Sequence, residues 1–251
     1  MAELFGFRIE RPKNDGGSEV SFATPTPDDG TIDVAGGGFF GQILDTDGRD
    51  KSDHDLIRRY RDIAQQAECD AAIEDIVNEG IVSNEDDQAV EVVLERLPFP
   101  NKIKRKIREE FSEVLRLLNF EQKGHDIFRR WYVDGRVYYH KVIDTKNPRK
   151  GITDLRWIDP SKIKKVRNVK KKTNQATGVD MIEKVEEYYI YNEQSKPHPG
   201  GRSVSQGIRI APDAITYVPS GIIDGNTGRV VSYLHKAIKP VNQLRMIEDA
   251  L

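Results

Sequence analysis

The sequence predicts an α+β fold, and three observations carry that expectation. Apolar residues recur at helical spacing through 52–80 and 101–134. The period then drops to alternation between 135 and 219, in runs separated by turn sequences. Helical spacing returns from Tyr233 to the last residue. The chain has 251 residues, of which 37% are hydrophobic and 32% charged, enough for one large domain or two small ones and wetter than an average domain. A mean hydropathy of -0.62 fits long loops or a large exposed surface.

Residues 11–50 read as irregular. KNDGGSEV, ATPTPDDG and VAGGGFFGQ are rich in Gly, Pro, Asp and Ser and bury too little apolar surface to order alone. They predict an arm that orders against a partner or against the body. From Ser52 the stretch SDHDLIRRYRDIAQQAECDAAIEDIVNEG opens on a Ser/Asp cap. It places Ile57, Tyr60, Ala64, Ala67 and Ala71 on one helical face and closes at Gly80. AVEVVLERL (89–97) is β-branched enough to predict a strand. A second helix follows in PFPNKIKRKIREEFSEVLRLLNF, with Ile103, Ile107, Phe111, Val114 and Leu118 on one face and basic residues on the other. A third, EQKGHDIFRRWYVDG, turns Ile127, Phe128 and Trp131 inward.

Strands are expected at GRVYYHKVID (135–144), TDLRWID (153–159), KVEEYYIYN (184–192) and within 207–219, with turns at NPRKG, DPSK and SKPHPGG. Around Val166 the apolar residues Ile163, Val166 and Val169 recur every three, which suits neither period. In YLHKAIKPVNQLRMIEDAL, Pro240 is expected to start or kink a helix. Its stripe of Val241, Leu244, Ile247 and Leu251 runs on without a Gly or Asn cap, so the chain is expected to be the first part of a longer polypeptide.

The formal net charge of -2 hides a segregation. Residues 1–50 hold 4 basic and 10 acidic side chains and residues 51–100 hold 5 and 13, while 101–172 hold 22 and 9. An acidic half joined to a basic belt predicts charge-complementary contacts, including contacts between copies, or a set of solvated faces. The basic runs NKIKRKIR and SKIKKVRNVKKK, with Lys102, Lys104, Arg105, Lys162, Lys164, Lys165, Lys170, Lys171 and Lys172, would meet phosphates without reading sequence. They keep a nonspecific nucleic-acid-binding protein open as an alternative function.

Local signatures of chemistry fail one by one. AGGGFFG lacks the GK[ST] of a phosphate loop. A calcium loop started at Asp45 meets Arg49, Asp50 and Leu56 where an acid or Asn, a Gly and a Glu are needed. The five histidines share no metal-ligand spacing, and Cys69 is the single cysteine, which excludes an internal disulfide and a cysteine zinc cluster and fits a reducing compartment. No nucleophile elbow occurs, no apolar run reaches membrane-span length, and no cofactor is expected. The aromatic stretch WYVDGRVYYHKVID lacks the second glycine and the Phe-Val pair of an RNA-recognition strand. Adjacent Tyr138 and Tyr139 must face opposite sides of a strand.

The helix FRRWYVDG running into GRVYYHKVID, followed by ITDLRWIDPSKI, resembles the wing region of portal proteins, the head–tail connectors of tailed bacteriophages. The closing SYLHKAIKPVNQLRMIEDAL (232–251) is similar, more specifically, to the T-even type of contractile-tailed phage, where the wing passes into the first long stem helix. The likeness follows the order of elements over roughly 54–251, with 129–160 and 232–251 carrying most of it. It implies a phage portal wing domain, helices plus a small mostly antiparallel sheet, leading into a long stem helix. Residues 1–51 would be a flexible Gly/Pro/Asp-rich arm, 52–232 the wing and 233–251 the start of the stem, with clip, tunnel loop, second stem helix and crown expected after the last residue.

The function implied is that of a non-enzymatic structural subunit, made in the host cytoplasm and placed in the virion at one capsid vertex. Its ring, normally of twelve copies, would pass double-stranded DNA during packaging and ejection, without reading its sequence. Partners would be the same chain, the major capsid protein, the large subunit of the packaging terminase and then neck and head-completion proteins. Lys236, Lys239 and Arg245, at the start of the stem, are expected to face a neighbour or the channel. Trp131, Gly135, Tyr139, Trp157 and Pro160 are expected to be scaffold: a helix anchor, a turn and the sheet's packing residues.

Overall fold

The structure, a computed structural model, describes residues 2–4, 7–9, 30–35, 49–82, 89–173, 180–193, 207–225 and 227–250. Among the described residues there are five α-helices, α1 (Arg49–Ile63), α2 (Ala67–Gly80), α3 (Asn101–Leu118), α4 (Phe120–Asp134) and α5 (Ile238–Glu248), of which α4 packs on α1, α2 and α3 and joins the helices to the sheets. The single helix expected over 52–80 is broken. Gln66 is extended (φ -72, ψ 137), and α2 buries Ile73 and Val77 while Ala67 and Ala71 are exposed. The bend lets two short stripes reach one core, which a straight rod could not do. Asn119, at φ 50, makes the left-handed link between α3 and α4, a conformation Asn tolerates better than most residues.

The strand expected over 89–97 does not form. The segment is irregular with a turn closed by Leu97 N–H on the Leu94 carbonyl, and only Leu94 is buried, Val93 being 69% exposed. Pro98 and Pro100 follow at once and remove two donors a ladder would need.

Strands β1 (Ala2–Leu4) and β2 (Phe7–Ile9) form an antiparallel hairpin. The four-stranded sheet runs β3-β6-β7-β8, with β3 (Ile32–Ala35), β6 (Ile163–Thr173), β7 (Asp180–Tyr191) and β8 (Ile208–Ile210). The three-stranded sheet runs β5-β4-β9, with β4 (Arg136–Ile143), β5 (Ile152–Ile158) and β9 (Ile215–Pro219). All ladders are antiparallel except β3–β6, which is parallel. There are thus two sheets on the body where the sequence suggested one. The irregular reading of 11–50 also misses β3, which the preceding Gly30 and buried Thr31 lead onto β6. Arg49 and Asp50 already belong to α1, and the remainder of that segment, like the turn at SKPHPGG, lies outside the described residues.

Two cores result. The first joins the helices through Tyr60, Ala64, Ile73, Val77, Val133 and Leu234. The second lies between the sheets, where Tyr138 meets Tyr189 edge-on (centroids 6.2 Å) and stacks on Tyr217 (4.6 Å, 14°), beside Ile163 and Ile215. The odd three-residue rhythm at Ile163, Val166 and Val169 now has a cause. All three are buried, Val166 on the opposite side of β6 from the other two, because this strand is covered on both faces.

Candidate interaction surfaces

A joint between the α4–β4 turn and the chain leading into α5 fixes how that helix leaves the body. Gly135 ends α4 at φ 70, and its N–H donates to the Trp131 carbonyl. A Cβ there would sit 2.8 Å from the backbone N and Cα of Ser232. The chain crossing at Ser232 comes this close because residue 135 has no side chain. Ser232 Oγ accepts from Leu234 N–H (3.0 Å) and donates to the Tyr132 carbonyl (3.0 Å). Tyr233 stacks on Tyr132 (4.9 Å, 6°), Leu234 enters the helical core, and Tyr60 Oη pairs with His235 Nδ1 at 2.8 Å. Burial pushes the Tyr60 phenol up to about 12, so it stays neutral there.

Asp134, in the turn sequence VDG, does more than turn the chain. Buried at the end of α4, it accepts two hydrogen bonds from Arg61, Nε at 2.9 Å and Nη2 at 2.8 Å. Arg61 Nη2 also reaches Asp159 Oδ1 at 2.9 Å, and that oxygen accepts from Ser161 N–H at 2.9 Å. Burial alone would raise the Asp159 carboxyl, but the Arg61 and Ser161 hydrogen bonds outweigh it and hold the group below the usual carboxylate range. One guanidinium therefore ties α1, the α4–β4 turn and the β5–β6 turn together. Nothing in the composition pointed to this clamp. Its members are 73 and 98 residues apart in sequence, and no local motif joins them.

Of the residues expected to be scaffold, Gly135 and Pro160 are buried and Trp131 and Tyr139 are half-buried. Trp131 Nε1 donates to the Pro219 carbonyl (3.3 Å) and its ring meets Phe128 and Tyr233. Tyr139 points away from Tyr138, paired across the sheet with Trp157 and Thr216. Trp157 is 38% exposed, and the Arg130 guanidinium lies 4.6 Å from its ring centroid. Pro160 is buried in the turn after β5.

The basic residues do not form one face. Lys102, Lys104 and Arg105 lie on α3, where Lys104 Nζ reaches the Glu95 carbonyl at 3.4 Å and Arg105 lies 3.9 Å from Glu109. The second run is mostly β6 itself. Lys162 and Lys164 are half-buried, and Lys165 and Arg167 are held by Glu187 at 3.1 and 2.9 Å. Only Lys170 and Lys171 stand exposed there, and the Lys172 side chain lies outside the described residues. Lys236, Lys239 and Arg245 are all exposed, around Tyr233–Ala237 and α5. Leu244, Met246 and Ile247 on α5 are 42%, 73% and 60% exposed, so the helix leaves the body with apolar surface uncovered.

Among the described residues there is no cluster of three or more His, Cys, Asp or Glu able to hold a metal ion, and no helix is long and apolar enough to cross a membrane. The cavity beside Asp53, Arg136 and Lys164 is about 30 Å³, room for a water and not for an organic ligand, and the larger depression, about 580 Å³, is the open apolar face of α3 around Ile103, Ile107 and Phe111. What the described surface offers is contact area.

Comparison with known proteins agrees on one family. The model of the family described as Bacteriophage T4-like portal protein (Gp20) matches residues 53–251. The portal protein of Vibrio phage KVP40 (isolate Vibrio parahaemolyticus/Japan/Matsuzaki/1991) is 39% identical over 203 residues, covering 78% of this chain and 39% of that protein. The portal protein of Salmonella phage ViI is 31% identical over 232 residues, covering 88% of this chain and 41% of that protein. The chain thus spans about two fifths of the length of these relatives.

Proposed function

The chain belongs to the T4-like bacteriophage portal protein family, and on that premise we propose that it is the wing and the beginning of the stem of a portal subunit. Copies close into a ring, twelve by the family's usual count, at one vertex of the phage capsid. Double-stranded DNA passes through the ring's channel during packaging and ejection. The packaging motor docks on the ring first and the neck proteins after it, while the wing lies against the major capsid protein. The role is structural and not catalytic.

The observation that carries this reading is the family match over 53–251, which takes in most of α1, all of α2 to α5 and strands β4 to β9. The exposed apolar and basic surface of α5 supports it, since a helix with this much uncovered apolar surface packs against further protein, which in a portal is the rest of the subunit or a neighbouring one. The split of charge between an acidic first half and a basic belt suits head-to-tail contacts that close a ring. A monomeric DNA-binding protein is the weaker reading, because Lys165 and Arg167 of the second basic run are already held by Glu187 inside the sheet. The native mass of the purified full-length protein tests the proposal. A closed ring of about twelve copies is expected. A compact monomer that binds DNA with strong salt dependence would overturn it.

A further inference from the structure

We propose that α3 docks antiparallel onto the outer face of α2 of a second copy of the chain, and that this contact joins neighbours around the ring. The inference rests on the ring reading above and adds the surfaces and their register.

Among the described helices α3 is the most amphipathic, and yet it buries no residue. Ile103 and Val114 are 45% and 43% exposed, and Ile107 and Phe111 are only half-covered. An apolar ridge of this length on a soluble body marks a contact surface. Along it run Lys102, Lys106 and Glu110, exposed and in no ion pair among the described residues.

α2 offers the complement. Its inner face is Ile73 and Val77, and its flank acids Asp70 and Glu74 are taken by Arg129. Its outer face carries Glu68, Asp75 and Glu79, exposed and in no ion pair among the described residues. Between these acids lie the small Ala71 and Ala72 and the partly exposed Ile76, so a second helix can approach closely.

Charge and coverage decide the direction. Stepping about four residues at a time, an antiparallel pairing sets Lys102 against Glu79 and Lys106 against Asp75. Glu110 then faces Ala71 and Ala72, where there is no acid. A parallel pairing that starts Lys102 on Glu68 wastes Lys106 on Ala72 and brings Glu110 beside Asp75, and one that starts Lys102 on Asp75 keeps Lys106 on Glu79 but carries Glu110, Phe111 and Val114 past the end of α2 at Gly80 and leaves them uncovered. The antiparallel arrangement has two attractions and no repulsion, and it also aligns the helix dipoles favourably. Exposed ion pairs contribute little each, so they fix register while Ile103, Ile107 and Phe111 covering Ile76 and the alanines supply the affinity. Within one copy α2 and α3 both pack on α4 and keep these faces free, and in the proposed ring each subunit gives α3 to one neighbour and receives the other neighbour's α3 on α2. That is the heterologous contact a closed ring requires.

Cysteine pairing in the full-length protein tests this. In a Cys69→Ser background, Lys106→Cys with Asp75→Cys is expected to give, on mild oxidation, a ladder of covalent multimers up to the full ring. Each single cysteine, and Lys106→Cys with Glu68→Cys, should give none. As a check independent of disulfides, Lys106→Glu should lower the fraction of protein in rings, and adding Asp75→Lys should restore it. A ring that forms by native mass while the Lys106/Asp75 pair stays uncrosslinked, or closes within one chain, overturns the α3–α2 contact and leaves the ring standing. Crosslinking through Glu68 instead overturns the register. Failure of the unmodified protein to form any ring overturns the ring reading and this contact with it.

Discussion

At residue 135 the backbone conformation and the packing make the same demand. A side chain at φ 70 costs about 1–2 kcal/mol in backbone strain, and a Cβ 2.8 Å from the Ser232 backbone must push two chain segments apart. Gly135→Ala is expected to destabilise the wing by about 3 kcal/mol, read from the denaturation midpoint at unchanged slope. A loss below about 1 kcal/mol would show that the crossing at Ser232 yields easily. Gly135 was legible as a turn from the sequence, through the Asp-Gly pair. Its contact with Ser232, 97 positions on, was not, because a close approach between distant segments leaves no local pattern. The same holds for Asp134. Its spacing suits a turn, and its partner Arg61 is fixed by the fold alone.

Among the elements, those with a clean period were legible and those serving two neighbours were not. The α3 and α4 helices and strands β4, β5 and β7 fall where spacing put them. Tyr138 and Tyr139 split between the two sides of β4 as alternation requires: one lies between the sheets and the other on the opposite face. The α1–α2 bend was hidden because Ala67 and Ala71 extend the stripe of α1 on paper. The strand over 89–97 was overread because β-branched residues were counted without a partner to pair with. β6 was obscured by burial on both faces, and its lysines looked like surface. The distinction is measurable. Arg167→Ala, which strips a buried cation from Glu187, should cost about 2–3 kcal/mol. Lys170→Ala with Lys171→Ala, exposed on the same strand, should stay within about 0.5 kcal/mol. Equal losses from both variants would mean that the run acts as one structural unit.

For the whole molecule, the wing is a body whose parts are fixed by the Arg61 clamp and the Gly135–Ser232 crossing, and α5 departs from that fixed point. Lys236, Lys239 and Arg245, expected to face a neighbour or the channel, are exposed on this chain, and the proposed ring would decide which of the two they meet. The proposal that this chain is a portal wing makes a definite claim about α5: it continues as the first stem helix toward the ring axis. A cryo-EM reconstruction of the full-length assembly tests that claim most directly. The predicted result is a closed ring in which α5 runs unbroken from Ile238 into an inner wall helix, with α3 packed against the adjacent subunit. An α5 that ends on the outer perimeter, or particles with no rotational symmetry, would contradict the account.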